Sequence, residues 1–251
     1  MERKTLTRLT FQGGAHFPAW TPDGKRVAFY ASRGPERKGA IASVAADGSS
    51  PLQTLAAVDT RAAYLSWSPD GKALALSLGA RGQADLAILP AEGDRKVKPF
   101  LQTQASEYAP EFSPDGRWIA YISLETGRPE VYVRPAPAAS GSAVADGGKW
   151  QVSNEGGQFP RWGRGGRELF YRNNDKMMAV EVEPGSAFRA RVPRLLFEAR
   201  YLGISGSYDV SADGKRFLMV KFGTESETGP AQLHVVLEWF EEIRRQVRAG
   251  G

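Results

Sequence analysis

A five-residue corner that recurs at nearly constant spacing constrains this chain more than any other feature. Trp20-Thr21-Pro22-Asp23-Gly24, Trp67-Ser68-Pro69-Asp70-Gly71 and Phe112-Ser113-Pro114-Asp115-Gly116 are near copies, and Trp162-Gly163-Arg164-Gly165-Gly166 and Val210-Ser211-Ala212-Asp213-Gly214 are weaker ones. Successive anchors lie 47, 45, 50 and 48 residues apart. A period of about 40 to 50 residues belongs to propellers and solenoids, in which each repeat is one supersecondary unit. The corner is chemically a hairpin turn: Pro presets φ at its second position, Asp bonds nearby backbone, and Gly takes positive φ cheaply.

After each corner comes an apolar run: Val27-Ala28-Phe29-Tyr30, Leu74-Ala75-Leu76, Ile119-Ala120-Tyr121-Ile122, Leu169-Phe170-Tyr171 and Phe217-Leu218-Met219-Val220. These runs are continuous where a one-sided sheet would alternate, so both faces of each strand are expected to be covered. Third strands are expected at 41–44, 86–89, 131–133, 177–182 and 233–237, and fourth strands at 52–55, 99–101, 150–152 and 195–197. Four antiparallel strands per unit predict an all-β propeller of five blades, over about 15–58, 62–105, 107–155, 157–200 and 205–237. The alternative is a five-blade part of a larger propeller.

The fifth unit lacks a fourth strand of its own, because 238–248 carries apolar residues at helical spacing and reads as a short carboxy-terminal helix. A spare strand stands ahead of the first corner at 5–10. Its pairing into the fifth blade would close the ring and remove exposed sheet edges. Deleting Met1–Phe11 is then expected to destabilise the chain or make it aggregate. The stretches 135–149 and 223–231 read as surface loops, and the whole of 1–251 as one domain.

Composition narrows the chemistry. The chain has 251 residues, 41% hydrophobic and 24% charged, a balance that supports a sizeable core and argues against disorder. It contains no Cys and only two His, His16 and His234, which leaves no thiolate chemistry and little material for a multi-His metal site. No cofactor or metal is expected. No run reaches about 18 uninterrupted apolar residues and the opening residues lack a signal-peptide core, so membrane insertion is not expected. The net charge of +5 is dispersed. The Arg-rich fourth unit interleaves Glu168, Asp175, Glu181, Glu183 and Glu198, a mixed surface rather than a nucleic-acid stripe.

Candidate site residues sit just before the anchors, on the strands expected to line a central channel. Glu111, Arg161 and Asp209 lie one step before their anchors, with His16, Tyr64 and Tyr108 nearby. They are candidates for binding a protein or small ligand at the channel mouth, against the plainer reading of mutual pairing and inter-blade packing. The corner aspartates read as turn residues rather than a ring of metal or acid–base groups. His16 has no nucleophile or orienting partner in its sequence context, and Gly203-Ile204-Ser205-Gly206-Ser207 is not a nucleophile elbow. No catalytic residue is assigned, and the chain is expected to be a monomer or weak oligomer.

The anchors, with lead-ins His16-Phe17-Pro18-Ala19-Trp20 and Gln158-Phe159-Pro160-Arg161-Trp162, resemble TolB-like propeller repeats of bacteria. More narrowly, Phe112 to Tyr121, Glu130 to Pro135, Gly166 to Arg172, Asp175 to Val180 and Val235 to Glu242 resemble the carboxy-terminal half of bacterial serine/threonine protein kinases. That resemblance implies the sensor half of a receptor-like kinase, held outside the cytoplasm. The kinase machinery is not in this sequence: it has no Gly-rich nucleotide loop, His-Arg-Asp or Asp-Phe-Gly motif. Propeller-scaffold hydrolases or lyases and a Tol-system-like periplasmic scaffold are the other readings.

Overall fold

The computed structural model describes residues 8–11, 13–32, 39–80, 82–137, 148–202, 207–211, 213–220 and 234–236. Two compact units divide the chain, residues 1–112 with 135–147, and 113–134 with 148–251.

In the first unit, β1 (Gly14–Trp20), β2 (Arg26–Ser32), β3 (Gly39–Ala45) and β4 (Gln53–Val58) form an antiparallel sheet in chain order. A second sheet repeats the order with β5 (Ala62–Trp67), β6 (Ala73–Ala80), β7 (Gln83–Pro90) and β8 (Lys98–Leu101). A third is built from β9 (Glu107–Phe112), β10 (Trp118–Ser123), β11 (Glu130–Pro135) and β12 (Trp150–Gln151), β9 belonging to the first unit and most of the others to the second. The second unit adds β13 (Gln158–Trp162), β14 (Glu168–Asn173), β15 (Lys176–Glu181) and β16 (Arg194–Glu198), then a three-stranded sheet of β17 (Tyr208–Val210), β18 (Phe217–Met219) and β19 (His234–Val236). Four full sheets and one partial sheet thus follow the expected repeat.

The runs after the second, third and fourth corners are buried on both faces, as their unbroken apolarity requires, every residue of β10 among them, whereas Leu218 and Val220 of the fifth run are half-buried. In the first unit, Tyr30, Ile41, Ala56 and Val58 of the first sheet pack against Leu74, Leu76 and Leu89 of the second. Serine hydroxyls stitch neighbouring sheets where backbone pairing stops, accepting from Ala84 N–H (Ser106, 3.0 Å), Ala109 N–H (Ser77, 3.1 Å) and Phe112 N–H (Ser66, 3.0 Å). In the second unit, Ala120, Val131 and Val133 meet Leu169, Tyr171 and Val180 in the corresponding way.

The corners show why Asp is used. Asp23, Asp70, Asp115 and Asp213 each accept through Oδ1 from the preceding Thr or Ser hydroxyl at 2.5–2.6 Å and from the backbone N–H two residues on at 3.0–3.1 Å. The glycine that follows takes φ of 67° to 72°, conformations costly for other residues. In the fourth unit the corner becomes a 3-10 turn, Arg164–Gly166, with φ of 58° at Gly165 and 75° at Gly166.

Those bonds hold the aspartate pKa values below the ordinary range. The donors are chiefly the Thr21, Ser68 and Ser211 hydroxyls at Asp23, Asp70 and Asp213; at Asp115 burial pushes upward, and Ser113 and Arg117 outweigh it. A folded pKa below the unfolded one gives stability that is present above the unfolded value, about 3.9, and lost as pH falls through the folded value. The fourfold Asp→Asn variant should therefore unfold at lower urea than the parent at pH 7, with the gap closing below about pH 4. A gap unchanged at pH 2.5 would refute this role.

Two expectations meet different outcomes at the termini. Arg8–Thr10 forms no strand; Leu9 instead packs against Phe29, Ala42 and Val44 of the first sheet, so the short polar segment is held by one apolar side chain rather than by ladder bonds. Residues 1–7 and the helix expected at 238–248 lie outside the described residues, as do 203–206.

Candidate functional site

The first strands β1, β5 and β13 share an irregularity. Pairing with the next strand slips between His16 and Ala19, between Ala63 and Ser66, and between Gln158 and Arg161. At the slip, Phe17, Tyr64 and Phe159 take φ of 52–54°, and Ala109 does so on β9. Each is three residues before its anchor. A bulge re-aims the side chain it carries, and positive φ at a large non-glycine residue is held only by surrounding structure.

In the first unit the bulges build a row of rings. Phe17 and Tyr64 stand 5.0 Å apart by centroid, and Tyr64 and Tyr108 5.8 Å apart, mutually tilted and all half-buried. His16, exposed, lies 6.4 Å from the Phe17 ring and 6.2 Å from that of buried Tyr30. The Arg61 guanidinium sits 5.4 Å from the Phe17 centroid. Burial pushes the Tyr30 hydroxyl pKa up, against the pull of the Arg61 charge. His16 Nε2 is 3.3 Å from Ser32 Oγ, an approach open only because Gly14 lies beside them: a Cβ there would stand 2.5 Å from Nε2 and 2.6 Å from Oγ.

Of the residues singled out by sequence, the structure thus brings His16, Tyr64 and Tyr108 together through Phe17. Glu111 is half-buried on β9, three residues beyond Tyr108. Arg161 and Asp209 lie in the second unit and make local backbone bonds: Arg161 Nη1 donates to Pro160 O at 3.1 Å, and Asp209 Oδ1 accepts from Val210 N–H at 2.8 Å. Phe17 is not among the residues that the sequence singles out, and neither is Arg61, a lone Arg between strands that no spacing marks out. The row can hold a flat or apolar group against ring faces and edges, with a cation and an imidazole at one end.

Antiparallel four-stranded sheets repeating in chain order, with Asp-Gly corners and bulged first strands, define a β-propeller repeat protein. The chain belongs to the PD40 family, the TolB beta propeller domain, whose model matches residues 18–187. A protein TolB homolog of Chlorobium luteolum is 31% identical over 121 residues, 46% of this chain and 25% of the relative. TolB from Acinetobacter baumannii superposes with a TM-score of 0.63 at 18% identity, over 84% of this chain and 49% of that one. A putative TolB from Agrobacterium tumefaciens gives 0.56 at 17%, over 72% and 64%. The chain therefore spans a quarter of that curated relative and about half of the first of these solved structures. At such identities the structures speak to fold alone.

Proposed function

We propose that this propeller is a non-catalytic binding module that takes an extended protein segment or a small ligand across the first-strand row of Phe17, Tyr64 and Tyr108. The row carries the reading: three half-exposed rings on three successive first strands, two of them held at positive φ, are a costly arrangement for packing alone. Convergent polar groups beside apolar surface are what ligand sites require, and Arg61 and His16 supply them here.

A displayed library of random linear peptides supplies the test. Peptides enriched on the parent chain should lose at least about tenfold in affinity on Tyr64→Ala or Tyr108→Ala, the scale of an interface hot spot. Peptides unaffected by both changes would place recognition elsewhere. The finer reading is the sensor half of a receptor-like serine/threonine kinase, supported by the resemblance of 112–121, 130–135, 166–172, 175–180 and 235–242; a full reading frame without a kinase domain would overturn it. The 31% identity to a TolB homolog favours a Tol-system-like scaffold as the second reading. Co-purification of Tol-system proteins with the tagged chain would support that reading instead.

A further inference from the structure

The tenth residue after each anchor reads Tyr30, Ser77, Ile122, Arg172 and Val220, so the fourth repeat alone puts a charge there. That position faces the first strand of the next sheet. In the first unit, Ser77 Oγ accepts from the N–H of Ala109, three residues before the Phe112 anchor, at 3.1 Å. In the second unit the residue three before the Val210 anchor is Ser207, 2% exposed, whose Oγ has no hydrogen-bond partner among the described residues. Tyr208 beside it is also buried, and its hydroxyl donates to Phe159 O and, at 3.3 Å, to Phe170 O, two residues before Arg172.

Arg172 is itself only 3% exposed. Its Nε and Nη2 both donate to one neutral acceptor, Asn174 O, at 3.1 and 2.6 Å, which occupies the side edge of the guanidinium fork. Nη1, at the other end, is buried with no partner among the described residues. No carboxylate of the described residues stands within ion-pair distance of it. Burial pushes its pKa down, against the pull of Tyr208, Asp175 and Tyr201, yet an arginine stays protonated near neutral pH. The half-buried Tyr201 ring lies 6.0 Å from the guanidinium carbon, a weak cation–π contact. Burying a charge without a counter-charge is unfavourable, and a water on Nη1 would satisfy its N–H groups while leaving that charge uncompensated. The missing component is an anion.

We infer that Arg172 is the floor of a site in the second unit for a small carboxylate anion, with a carboxylate oxygen on Nη1, the Ser207 hydroxyl as a further donor and the Tyr201 ring as a wall. One positive charge balances one monovalent oxyanion, whereas a phosphate dianion would bury an excess negative charge. The open end of a planar guanidinium also matches the planar carboxylate. With Arg172 only 3% exposed, the ligand is a small acid rather than a chain laid across a groove. The site shares no residue with the row of Phe17, Tyr64 and Tyr108, so neither reading depends on the other.

Urea unfolding of the full chain, with sodium acetate replacing sodium chloride at constant ionic strength up to about 200 mM, tests it, because an anion that binds only the folded state stabilises that state by mass action. The parent's folded-to-unfolded ratio should rise about tenfold once acetate stands about tenfold above its dissociation constant. Phosphate at equal ionic strength should give less. Arg172→Met removes the charge at similar volume and, with circular dichroism showing it folded, should keep only the small drift that acetate gives any protein by exclusion from its surface. Ser207→Ala should weaken the acetate response without abolishing it, and it carries the test if Arg172→Met fails to fold. Acetate indistinguishable from chloride on the parent, an equal rise in Arg172→Met, or an unchanged rise in Ser207→Ala would each overturn the site, and a larger effect of phosphate would overturn the carboxylate.

Discussion

Replacing Phe188 by Ala is expected to lower the free energy of unfolding by about 3–5 kcal/mol, the range for truncating a buried Phe and leaving a cavity. Phe188 is buried at 4% exposure although it lies outside any strand, in the segment that follows β15. Its ring meets Trp118 at 5.5 Å and 65°, Trp150 at 5.4 Å and 46°, and Trp162 at 6.5 Å and 88°. Trp118 and Trp150 belong to the third sheet and Trp162 to the fourth, so one side chain clips two sheets of the second unit together. The Trp118 and Trp162 contacts are edge-to-face, pairs that add about 0.5–1.5 kcal/mol each beyond buried area, and both are lost at once.

The backbone around Phe188 has little freedom to collapse into the hole. Glu183 N–H donates to Arg189 O and Arg191 N–H to Glu181 O, both at 2.9 Å, while Arg117 Nη1 reaches across to Gly185 O at 2.6 Å. A cavity whose walls cannot relax costs toward the upper end of the range. Urea unfolding followed by tryptophan emission reads both consequences, a lower midpoint and a red-shifted native spectrum as Trp118 and Trp162 meet water. A loss below about 1 kcal/mol, within the span of ordinary surface changes, would show that Phe188 is not the clip.

What the sequence disclosed and what it hid divide along a physical line. The corners were legible because their chemistry is local: Ser68, Asp70, Gly71 and Lys72 close their own bonds within five residues, so the residue types alone announce the turn. Strands such as Ile119 to Ile122 were legible because burial on both faces leaves an unbroken apolar run. Phe188 gave no signal, since it sits in a polar segment rich in Gly, Ser and Arg and its partners are more than twenty residues away. The site was half legible. Tyr64 and Tyr108 stand out as aromatics near the anchors, but Tyr64 is three residues before its anchor and Tyr108 four. No periodic reading aligns them, and only the bulges, with Ala109 rather than Tyr108 at positive φ on β9, bring the rings side by side. Glu111, Arg161 and Asp209 share one offset in sequence, yet Arg161 and Asp209 bond to the backbone of their own neighbours. Equal spacing fixed their place on a strand but not their partners.

Glu130→Ala is the second substitution expected to cost about 3–5 kcal/mol, because Glu130 is a fully buried carboxylate on which three donors converge. Ser153 Oγ donates to Oε2, Gly156 N–H donates to Oε1 at 3.0 Å, and Arg128 Nε lies 2.7 Å from Oε1. Arg128 can turn to water when its partner goes, since its side chain is 57% exposed. Ser153 cannot: it is itself fully buried, and its hydroxyl also accepts from Val131 N–H at 2.7 Å. Truncating Glu130 therefore strands the Ser153 hydroxyl in the interior, at about 1–3 kcal/mol, and takes the acceptor from the half-buried Gly156 N–H. Ser153→Ala should cost somewhat less, removing one donor from a buried charge that keeps two others. A double-mutant cycle separates this network from simple loss of packing. If hydrogen bonding dominates, the Glu130→Ala, Ser153→Ala pair should destabilise by at least about 1 kcal/mol less than the sum of the single changes, because the second change removes a group the first left unsatisfied. Additive effects would mean that the two residues contribute only the volume they fill, and that the bonds joining β11 to the segment before β13 do not hold the second unit together.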